Sequence, residues 1–261
     1  MSYTFSEKEH VHKLNGKNLY GTTTILSIIS KPLTFWASGM ACAEFGWLNP
    51  KKFDEELCES AAAIAHGNIK NLTQKEYRKL LDKAYRAHAS NLKKTASEGT
   101  DLHAEVETWI KWKLGQGPEP LFVDKRIEPF ILWAEKNVRT FLACEANCYS
   151  ERLWVGGKFD FMYLDFKSRV ILADVKSSRD AYFSHFCQSG AYDLQIQENG
   201  LFTAQGERIE GIRTDISGHA IFPFGNGFKE PVISYETQKN KDAFEAALTL
   251  YKLQQSFENK E

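Results

Sequence analysis

The segment ILADVKSS, residues 171–178, places two opposite charges within a run of apolar residues. The apolar residues predict a mostly buried strand. Side chains of a strand alternate between the two faces of a sheet, so Asp174 and Lys176 are expected to project from the same face. A salt bridge at the strand end would account for such a pair, and Asp-x-Lys alone does not separate that structural role from a functional one.

Two further strand-like runs, 146–155 and 158–165, precede this one, and Gly156-Gly157 and the tripeptide FKS separate the three. Short links favour an antiparallel meander. Asp160 lies fourteen residues before Asp174, and an antiparallel pair with a short turn could bring these two carboxylates together on one sheet face. Simple alternation would place Phe159 with Phe161 and Tyr163 on one face, and Lys158 with Asp160 and Met162 on the other.

Helical patterns dominate the first half of the chain. Asn15-Gly16 predicts a β-hairpin turn. The predicted helices are 22–48, 53–66, 73–96, 101–114 and 127–143. The first is broken or restarted at Pro32, and the second ends near Gly67. A Thr73/Glu76 capping box opens the third, and a break at Gly99 separates it from the fourth.

After the three strand-like runs, the patterns predict a helix over 181–199, strands over 215–224 and 230–236, and a final helix over 238–257. The fold class expected is α/β, with a central mixed β-sheet flanked by helices and a mainly helical N-terminal extension. We expect residues 1–98 to form a hairpin and helical region packed on a core of residues 99–261, with one continuous domain as the alternative.

Composition places the chain among ordinary globular proteins, with 43% hydrophobic and 26% charged residues. No apolar run approaches the roughly 18 residues of a membrane helix, so no membrane partner is expected. The N-terminus is polar, and the five cysteines form no CxxC pair, which fits reduced thiols. These features favour a cytoplasmic location.

The net charge of −1 means that any affinity for nucleic acid has to come from a local patch. Residues 70–94 are rich in Lys and Arg. The candidate nucleic-acid contacts are Lys79, Lys83, Arg86, Lys93 and Lys94. A solvated helix face is the competing interpretation of this segment. Tyr77 and Tyr85 could stack on bases or pack against the N-terminal helices.

Two close carboxylates repel each other unless a cation lies between them. Mg²⁺ is the natural candidate, because it prefers carboxylate, carbonyl and water oxygens. The carbonyl of Val175 could add an oxygen ligand, and Lys176 could stabilise developing phosphate charge or help to deprotonate a water. This set of groups suits metal-dependent phosphodiester hydrolysis.

Two helical pairs flank the strands. His103 and Glu107 are spaced i, i+4 before them, and Gln188 and Tyr192 are spaced i, i+4 after them. Each pair is uninformative by itself.

Taken together, the motifs resemble the PD-(D/E)XK nuclease superfamily, specifically its RecB-like exonuclease branch of phage and bacterial type. The four motifs occur in the family's order, as G99-TDL-H103, G157-KF-D160, D174-V-K176 and Q188-SGA-Y192. The segment YGTTTILSIISKP also resembles the opening of many of these exonucleases. The resemblance covers most of the chain, with its core at residues 99–195.

The resemblance implies a restriction-endonuclease-like core and a role for each matched position. His103, Asp160 and Asp174 would be metal ligands together with the Val175 carbonyl. Lys176 would be the catalytic lysine, while Gln188 and Tyr192 would orient the site and touch the nucleic-acid backbone. Two acids are weaker candidates for supporting roles around the metal. Glu107 could reach the metal through water or hold His103 in place. Glu151 could support the site, but a position on the strand surface is the better interpretation.

The expected cofactor is one or two Mg²⁺ or Mn²⁺ ions. An iron–sulfur cluster is not expected, because the family's cluster uses a cysteine triplet after the QxxxY helix and no cysteine follows Cys187. The expected partner is DNA, either single-stranded or at duplex ends. A homo-oligomer or a recombination partner protein are further possibilities. The expected setting is a bacterial or phage-infected cell. The resemblance therefore implies a DNA nuclease, more an exonuclease than an endonuclease, acting in recombination, repair or phage DNA processing.

Two alternatives remain open. A non-catalytic DNA-binding or assembly protein could retain the nuclease fold. A different metallohydrolase could use His103 and the two aspartates for zinc or iron, although zinc prefers more His and Cys ligands than this region offers.

Overall fold

The computed structural model describes residues 2–29 and 34–258, apart from the side chains of residues 93–100. The described chain divides into two compact units. One comprises Met1–Ser30 and Gly99–Glu261, and the other comprises Lys31–Glu98. The N-terminal hairpin therefore groups with the strands that follow residue 99, whereas the predicted division at residue 98 placed it with the N-terminal helices.

The helices of the described chain, in order, are α1 (Thr22–Leu26) followed by a 3₁₀ turn (Ser27–Ile29), α2 (Thr34–Ala43), α3 (Glu55–Lys70), α4 (Gln74–Lys113), α5 (Glu128–Asn137), α6 (Phe183–Asn199) and α7 (Thr237–Glu258). The strands are β1 (Tyr3–Ser6), β2 (Val11–Leu14), β3 (Lys17–Asn18), β4 (Tyr20–Gly21), β5 (Val138–Cys144), β6 (Asn147–Ser150), β7 (Val155–Lys158), β8 (Phe161–Asp165), β9 (Val170–Lys176), β10 (Leu201–Phe202), β11 (Arg208–Ile209), β12 (Ile216–Pro223) and β13 (Val232–Ser234).

The first unit contains the strands, arranged among the described residues in three sheets. Their orders are β1-β2-β3, β11-β10-β6-β7-β4 and β13-β12-β9-β8-β5. In the third sheet β9 pairs antiparallel with β8 and parallel with β12, with α6 in the connection between β9 and β12. The fold is thus α/β with mixed sheets flanked by helices, as the sequence predicts.

The third sheet, which holds β9, is covered on both faces. Tyr163, Ile171 and Ala173 face a cluster with α4 and α5, in which Trp109 and Phe130 are buried. Met162, Val170 and Leu172 face a second cluster with α6 residues Tyr192 and Ile196. Because β9 is buried on both faces, its run is almost continuously apolar.

Several predicted elements match the structure. Asn15 and Gly16 have positive φ angles of 49° and 77°, as a two-residue hairpin turn requires. Thr73 and Glu76 form the predicted capping box, with a 2.8 Å bond from the Thr73 N–H to Glu76 Oε2. The predicted helix over 181–199 is present as α6, and the last helix is α7.

Other predictions are wrong. Residues 138–143 belong to β5 rather than to a helix, because Val138 to Cys144 pair with β8. The backbone passes through Gly99 without a break, so the two helices predicted there are one helix, α4. Helix α3 likewise continues past Gly67 to Lys70. The predicted break at Pro32 lies outside the described residues.

The glycine pair Gly156-Gly157 forms part of β7 instead of a turn, for a steric reason. A Cβ on Gly156 would lie 2.4 Å from His12 Cβ, so the N-terminal hairpin requires a glycine there. The turn that precedes β7 is instead at residues 151–154, where Trp154 has a φ of 61°. Two sequence-adjacent glycines therefore mark close packing against two different neighbours.

The second unit is helical over its described residues. Within it, Lys83 Nζ lies 2.6 Å from Glu44 Oε2, and Asp54 caps α3 through a 2.8 Å bond from the Leu57 N–H. Ala84 and Ala87 are buried on α4, while Tyr85 is 81% exposed.

No single helix among the described residues is long and apolar enough to cross a membrane. In the part of the chain that the structure describes, one bent pair of helices, Thr22–Ile29 with Thr34–Ala43 at an angle of 85°, meets the length and composition requirement.

The buried His12 gives the first unit a testable pH dependence. Its Nδ1 lies 2.6 Å from the Tyr3 hydroxyl, and burial lowers its pKa from 6.5 to about 4. Between pH 4 and pH 6.5 the unfolded chain therefore binds more protons than the folded chain. The free energy of unfolding is expected to fall by roughly 3 kcal/mol at most as the pH drops from about 6.5 to about 4. Urea unfolding of wild type and His12→Phe over this range measures the effect. The variant should lose stability less steeply, and parallel curves would contradict the assignment.

Candidate active site

The antiparallel pairing of β8 with β9 positions the two aspartates. Phe161 pairs with Ala173, and extending this register by one residue places Asp160 opposite Asp174. The sequence-based expectation of an antiparallel pair is confirmed. Asp174 is 3% exposed, so one carboxylate of the pair lies almost wholly inside the fold.

Asp160 sits at a break between two sheets. Strand β7 ends at Lys158 in one sheet, and β8 begins at Phe161 in the next. The break interrupts the alternation of side chains, so Phe159 packs with Met162 in the α6 cluster, contrary to the predicted grouping with Phe161. The N–H of Val175 donates a 2.5 Å bond to Asp160 Oδ2. Burial, followed by the nearby charge of Asp174, raises the pKa of Asp160 well above its ordinary value.

Lys176 links Asp174 to helix α6. Its Nζ lies 2.5 Å from Asp174 Oδ2 and donates a 3.1 Å bond to Gln188 Oε1. Gln188 Nε2 in turn donates a 2.6 Å bond to the Tyr192 hydroxyl. The salt bridge considered for Asp174 and Lys176 is therefore present, and it is one part of a chain of four side chains.

Tyr192 anchors the inner end of this chain. It is 4% exposed, and burial raises its pKa well above the ordinary value. Its ring lies against Gly157, where a Cβ would be 2.4 Å from Tyr192 Cε1. Gln188 is less buried, so in this arrangement Tyr192 orients Gln188 from within the core.

His103 approaches the aspartates from α4. Its Nδ1 lies 3.7 Å from Asp160 Oδ2. Burial and the charge of Lys176 lower the pKa of His103, while Asp174, the backbone of Val175 and Glu107 oppose this shift. A neutral imidazole is the form that binds metal ions. Val175 thus lies beside both His103 and Asp160.

The backbone of Val175 has a defined direction. In an extended strand the N–H and C=O of one residue point towards the same neighbour. Since the Val175 N–H reaches Asp160, its carbonyl also faces that side of β9. The structure therefore brings together His103, Asp160, Asp174, Val175, Lys176, Gln188 and Tyr192.

The two weaker candidates lie differently. Glu107 pairs with Lys111 at 2.5 Å and acts on His103 only through its charge. Glu151 is exposed in the turn at the opposite end of the β6–β7 hairpin, where its N–H donates to Glu198 Oε1 at 2.9 Å. The structure does not bring Glu151 to the aspartates.

A second charged pair adjoins Asp160 and was not singled out from the sequence. Glu145 forms an ion pair with Lys158, and the Glu145 N–H donates a 2.7 Å bond to the carbonyl of Asp160. Burial raises the pKa of Glu145. The sequence carried a partial signal, because Lys158 precedes Asp160 by two residues, but Glu145 becomes a neighbour only through the pairing of β5 with β8.

His185 was also not singled out. It lies one helical turn before Gln188 on α6. Burial and the charge of Lys176 lower its pKa to about 4, so its imidazole is neutral near pH 7.

The donor set can be tested against a divalent cation. Asp174 Oδ2 is buried and accepts no aligned hydrogen bond from any described residue, although Lys176 Nζ is near it. Two carboxylates and a backbone carbonyl form the oxygen-rich set that Mg²⁺ and Mn²⁺ prefer. Within the described side chains, no group of three or more His, Cys, Asp or Glu residues is placed to hold a metal ion. The donor atoms are of the type that suits a hard cation, while in this arrangement the Lys176 ammonium is the positive group beside Asp174.

The basic candidates lie in the second unit. Lys79, Lys83 and Arg86 are exposed on α4, with Lys83 paired to Glu44. The side chains of Lys93 and Lys94 fall outside the described residues. Tyr77 and Tyr85 are 42% and 81% exposed.

Comparisons with known proteins leave the family open, since no protein-family model and no curated protein matches the chain.

The contact between Gly157 and Tyr192 predicts a sensitive position. Gly157→Ala should destabilise the first unit by roughly 1–3 kcal/mol, because the added methyl overlaps the Tyr192 ring and Thr22 Oγ1. Gly117→Ala is the matched control, since nothing lies within 4 Å of a Cβ there, and its effect should stay within about 0.5 kcal/mol. Urea unfolding measures both, and equal effects would contradict the packing described.

Proposed function

We propose that this protein is a metal-dependent DNA nuclease that hydrolyses phosphodiester bonds, with a restriction-endonuclease-like core of the RecB-like branch of the PD-(D/E)XK superfamily. The observation that carries the proposal is the meeting of Asp160, Asp174 and Lys176 with His103 on one side and Gln188 on the other. These residues come from four separate stretches of sequence.

The topology supports the same proposal. Helix α4 brings His103, the junction before β8 brings Asp160, β9 brings Asp174, and α6 brings Gln188 on the crossover towards β12. The four sequence motifs therefore meet near the end of β9 that carries Lys176.

Asp160, Asp174, His103 and the Val175 carbonyl would hold one or two Mg²⁺ or Mn²⁺ ions. Such an ion would polarise the scissile phosphate and lower the pKa of an attacking water. Burial, and after it the charge of Asp174, raises the pKa of Asp160, so the site disfavours a second negative charge. A cation between the two carboxylates offsets this effect.

Lys176 provides the positive charge next to the phosphate. Its ammonium is held by Asp174 and Gln188, so it can donate hydrogen bonds to a phosphate oxygen or to a water without a large rearrangement. Gln188 is fixed in turn by the Tyr192 hydroxyl, so the buried tyrosine acts as a positioning residue for Lys176. His185, neutral near pH 7, adds no competing positive charge at this end of α6.

DNA, single-stranded or at duplex ends, is the proposed substrate, and exonuclease action in recombination, repair or phage DNA processing is the proposed role. The exposed cations Lys79, Lys83 and Arg86 are the proposed contacts to the DNA backbone. A cytoplasmic location in a bacterial or phage-infected cell accords with this role.

The proposal predicts the effects of two substitutions. Asp174→Ala and Lys176→Ala should each reduce Mg²⁺-dependent cleavage of end-labelled DNA by about 100-fold or more, the usual scale for a group that acts on the reacting atoms. DNA binding should remain mostly intact, as measured by fluorescence anisotropy. Activity should disappear with EDTA.

Asp215→Ala and Lys239→Ala are matched controls, because both residues are exposed and pair with partners away from the aspartates. Circular dichroism establishes that each variant is folded. Equal cleavage by wild type and both site variants would contradict the proposal. DNA binding without cleavage by the wild type would instead favour a non-catalytic DNA-binding or assembly protein.

A further inference from the structure

A pocket lies at the end of the third sheet that is opposite to Asp160 and Asp174. It has a volume of about 530 Å³ and is enclosed by α5, by the turn between β8 and β9, and by the segment 229–235. The turn and Lys176 are at opposite ends of β9, whose seven residues span roughly 20 Å. The pocket also opens on the α5 face, whereas Asp174 faces α6. Its volume falls in the range of small-molecule sites.

The pocket carries unpaired positive charge. Lys136, Lys229 and Glu230 are exposed residues of its lining, and none of the three forms an ion pair with any residue that the structure describes. With the paired Arg169 and Asp165, the lining holds three cations and two carboxylates. Both ammonium groups are therefore available to an anion.

A flat cationic surface is fixed inside the pocket. The Arg169 guanidinium donates to Asp165 Oδ2 through Nε at 2.7 Å and also pairs with it through Nη2 at 2.6 Å. The same guanidinium lies 4.4 Å above the ring centroid of Tyr235. Guanidinium planes and aromatic rings are the surfaces on which nucleobases stack. Because Asp165 and Tyr235 already hold Arg169, a planar ligand would meet a rigid surface.

The lining also includes the hydroxyl of Tyr163. Tyr163 lines the pocket and is 1% exposed, yet its hydroxyl makes no hydrogen bond to any described residue. The hydroxyl oxygen is itself accessible from the pocket, so a ligand there can hydrogen-bond to it. The Trp133 ring stands nearly perpendicular to Tyr163, at 5.9 Å and 87°, and adds aromatic surface.

We propose that this pocket binds a nucleotide. The base would lie on the aromatic and guanidinium surface formed by Trp133, Arg169 and Tyr235. The phosphate would meet Lys136 and Lys229, and the Tyr163 hydroxyl would bond to a polar edge of the base or to the sugar. Inorganic phosphate alone would leave the stacking surfaces unused, and a nucleoside would leave the two lysines unused. The site is separate from the aspartates and does not depend on the proposed nuclease activity.

Isothermal titration calorimetry of the full chain in EDTA tests this inference. The probes are deoxyadenosine monophosphate, deoxyadenosine and inorganic phosphate. The monophosphate should bind saturably at one site, and the other two should bind at least about tenfold more weakly, since each lacks one half of the recognised chemistry.

Three variants localise the binding. Lys136→Glu with Lys229→Glu should weaken monophosphate binding by about tenfold or more, because two attractive charges become repulsive. Tyr163→Phe, which removes only the hydroxyl, should weaken it several-fold. The control pair Lys8→Glu with Lys17→Glu, at exposed positions in the N-terminal hairpin region, should leave it unchanged.

Three results would overturn the inference. These are absence of monophosphate binding at millimolar concentration, binding that the pocket variants leave unchanged, and binding of inorganic phosphate as tight as that of the monophosphate. Loss of DNA cleavage plays no part in the readout, so the pocket and the proposed nuclease can each fail without the other.

Discussion

The opposition of two carboxylates, Asp160 and Asp174, is the constraint around which this end of the fold is organised. A buried acid beside a second, partly buried carboxylate costs free energy unless positive charge or hydrogen-bond donors compensate the two. The chain supplies the Lys176 ammonium to Asp174 and the Val175 N–H to Asp160. It still leaves Asp174 Oδ2 without an aligned hydrogen bond among the described residues. The proposed cation would supply the compensation that this oxygen lacks.

The rest of the first unit holds these groups in place through close packing. The chain leaves one sheet after Lys158 and enters another at Phe161, which puts Asp160 at the junction between them. Gly157 lets Tyr192 come close enough to support Gln188. Gly190 performs the same task on the other side of α6, since a Cβ there would lie 2.3 Å from the Asn240 carbonyl of α7. Helix α6, which carries Gln188, therefore packs closely on two sides, because the glycines at 157 and 190 leave room for the neighbouring groups.

The local part of this site was predictable from the sequence, and the long-range part was not. The apolar run around Asp174 determines a strand, and the short link to the preceding run determines antiparallel pairing. The prediction that 138–143 is helical was wrong. The helical pattern of apolar residues that begins in α5 continues past the end of that helix, but pairing with β8 makes residues 138–143 a strand. Local propensity carries no information about such a partner.

The break at Asp160 was hidden for a similar reason. Gly156-Gly157 looked like a turn, and only the approach of His12 and Tyr192 explains why glycine is needed within a strand. Glu145 could not be placed beside Asp160 before β5 was known to be a strand. The nucleotide pocket likewise brings together residues from α5, the β8–β9 turn and the segment after Phe228, which no local pattern connects.

Binding of Mn²⁺ to the full chain, followed by electron paramagnetic resonance, tests the central claim most directly. The account predicts saturable binding by the wild type, strongly weakened binding in Asp174→Asn, which keeps the shape of the side chain but removes its charge, and unchanged binding in Asp215→Asn. Absence of Mn²⁺ binding by the folded wild type, or equal binding by wild type and Asp174→Asn, would contradict it.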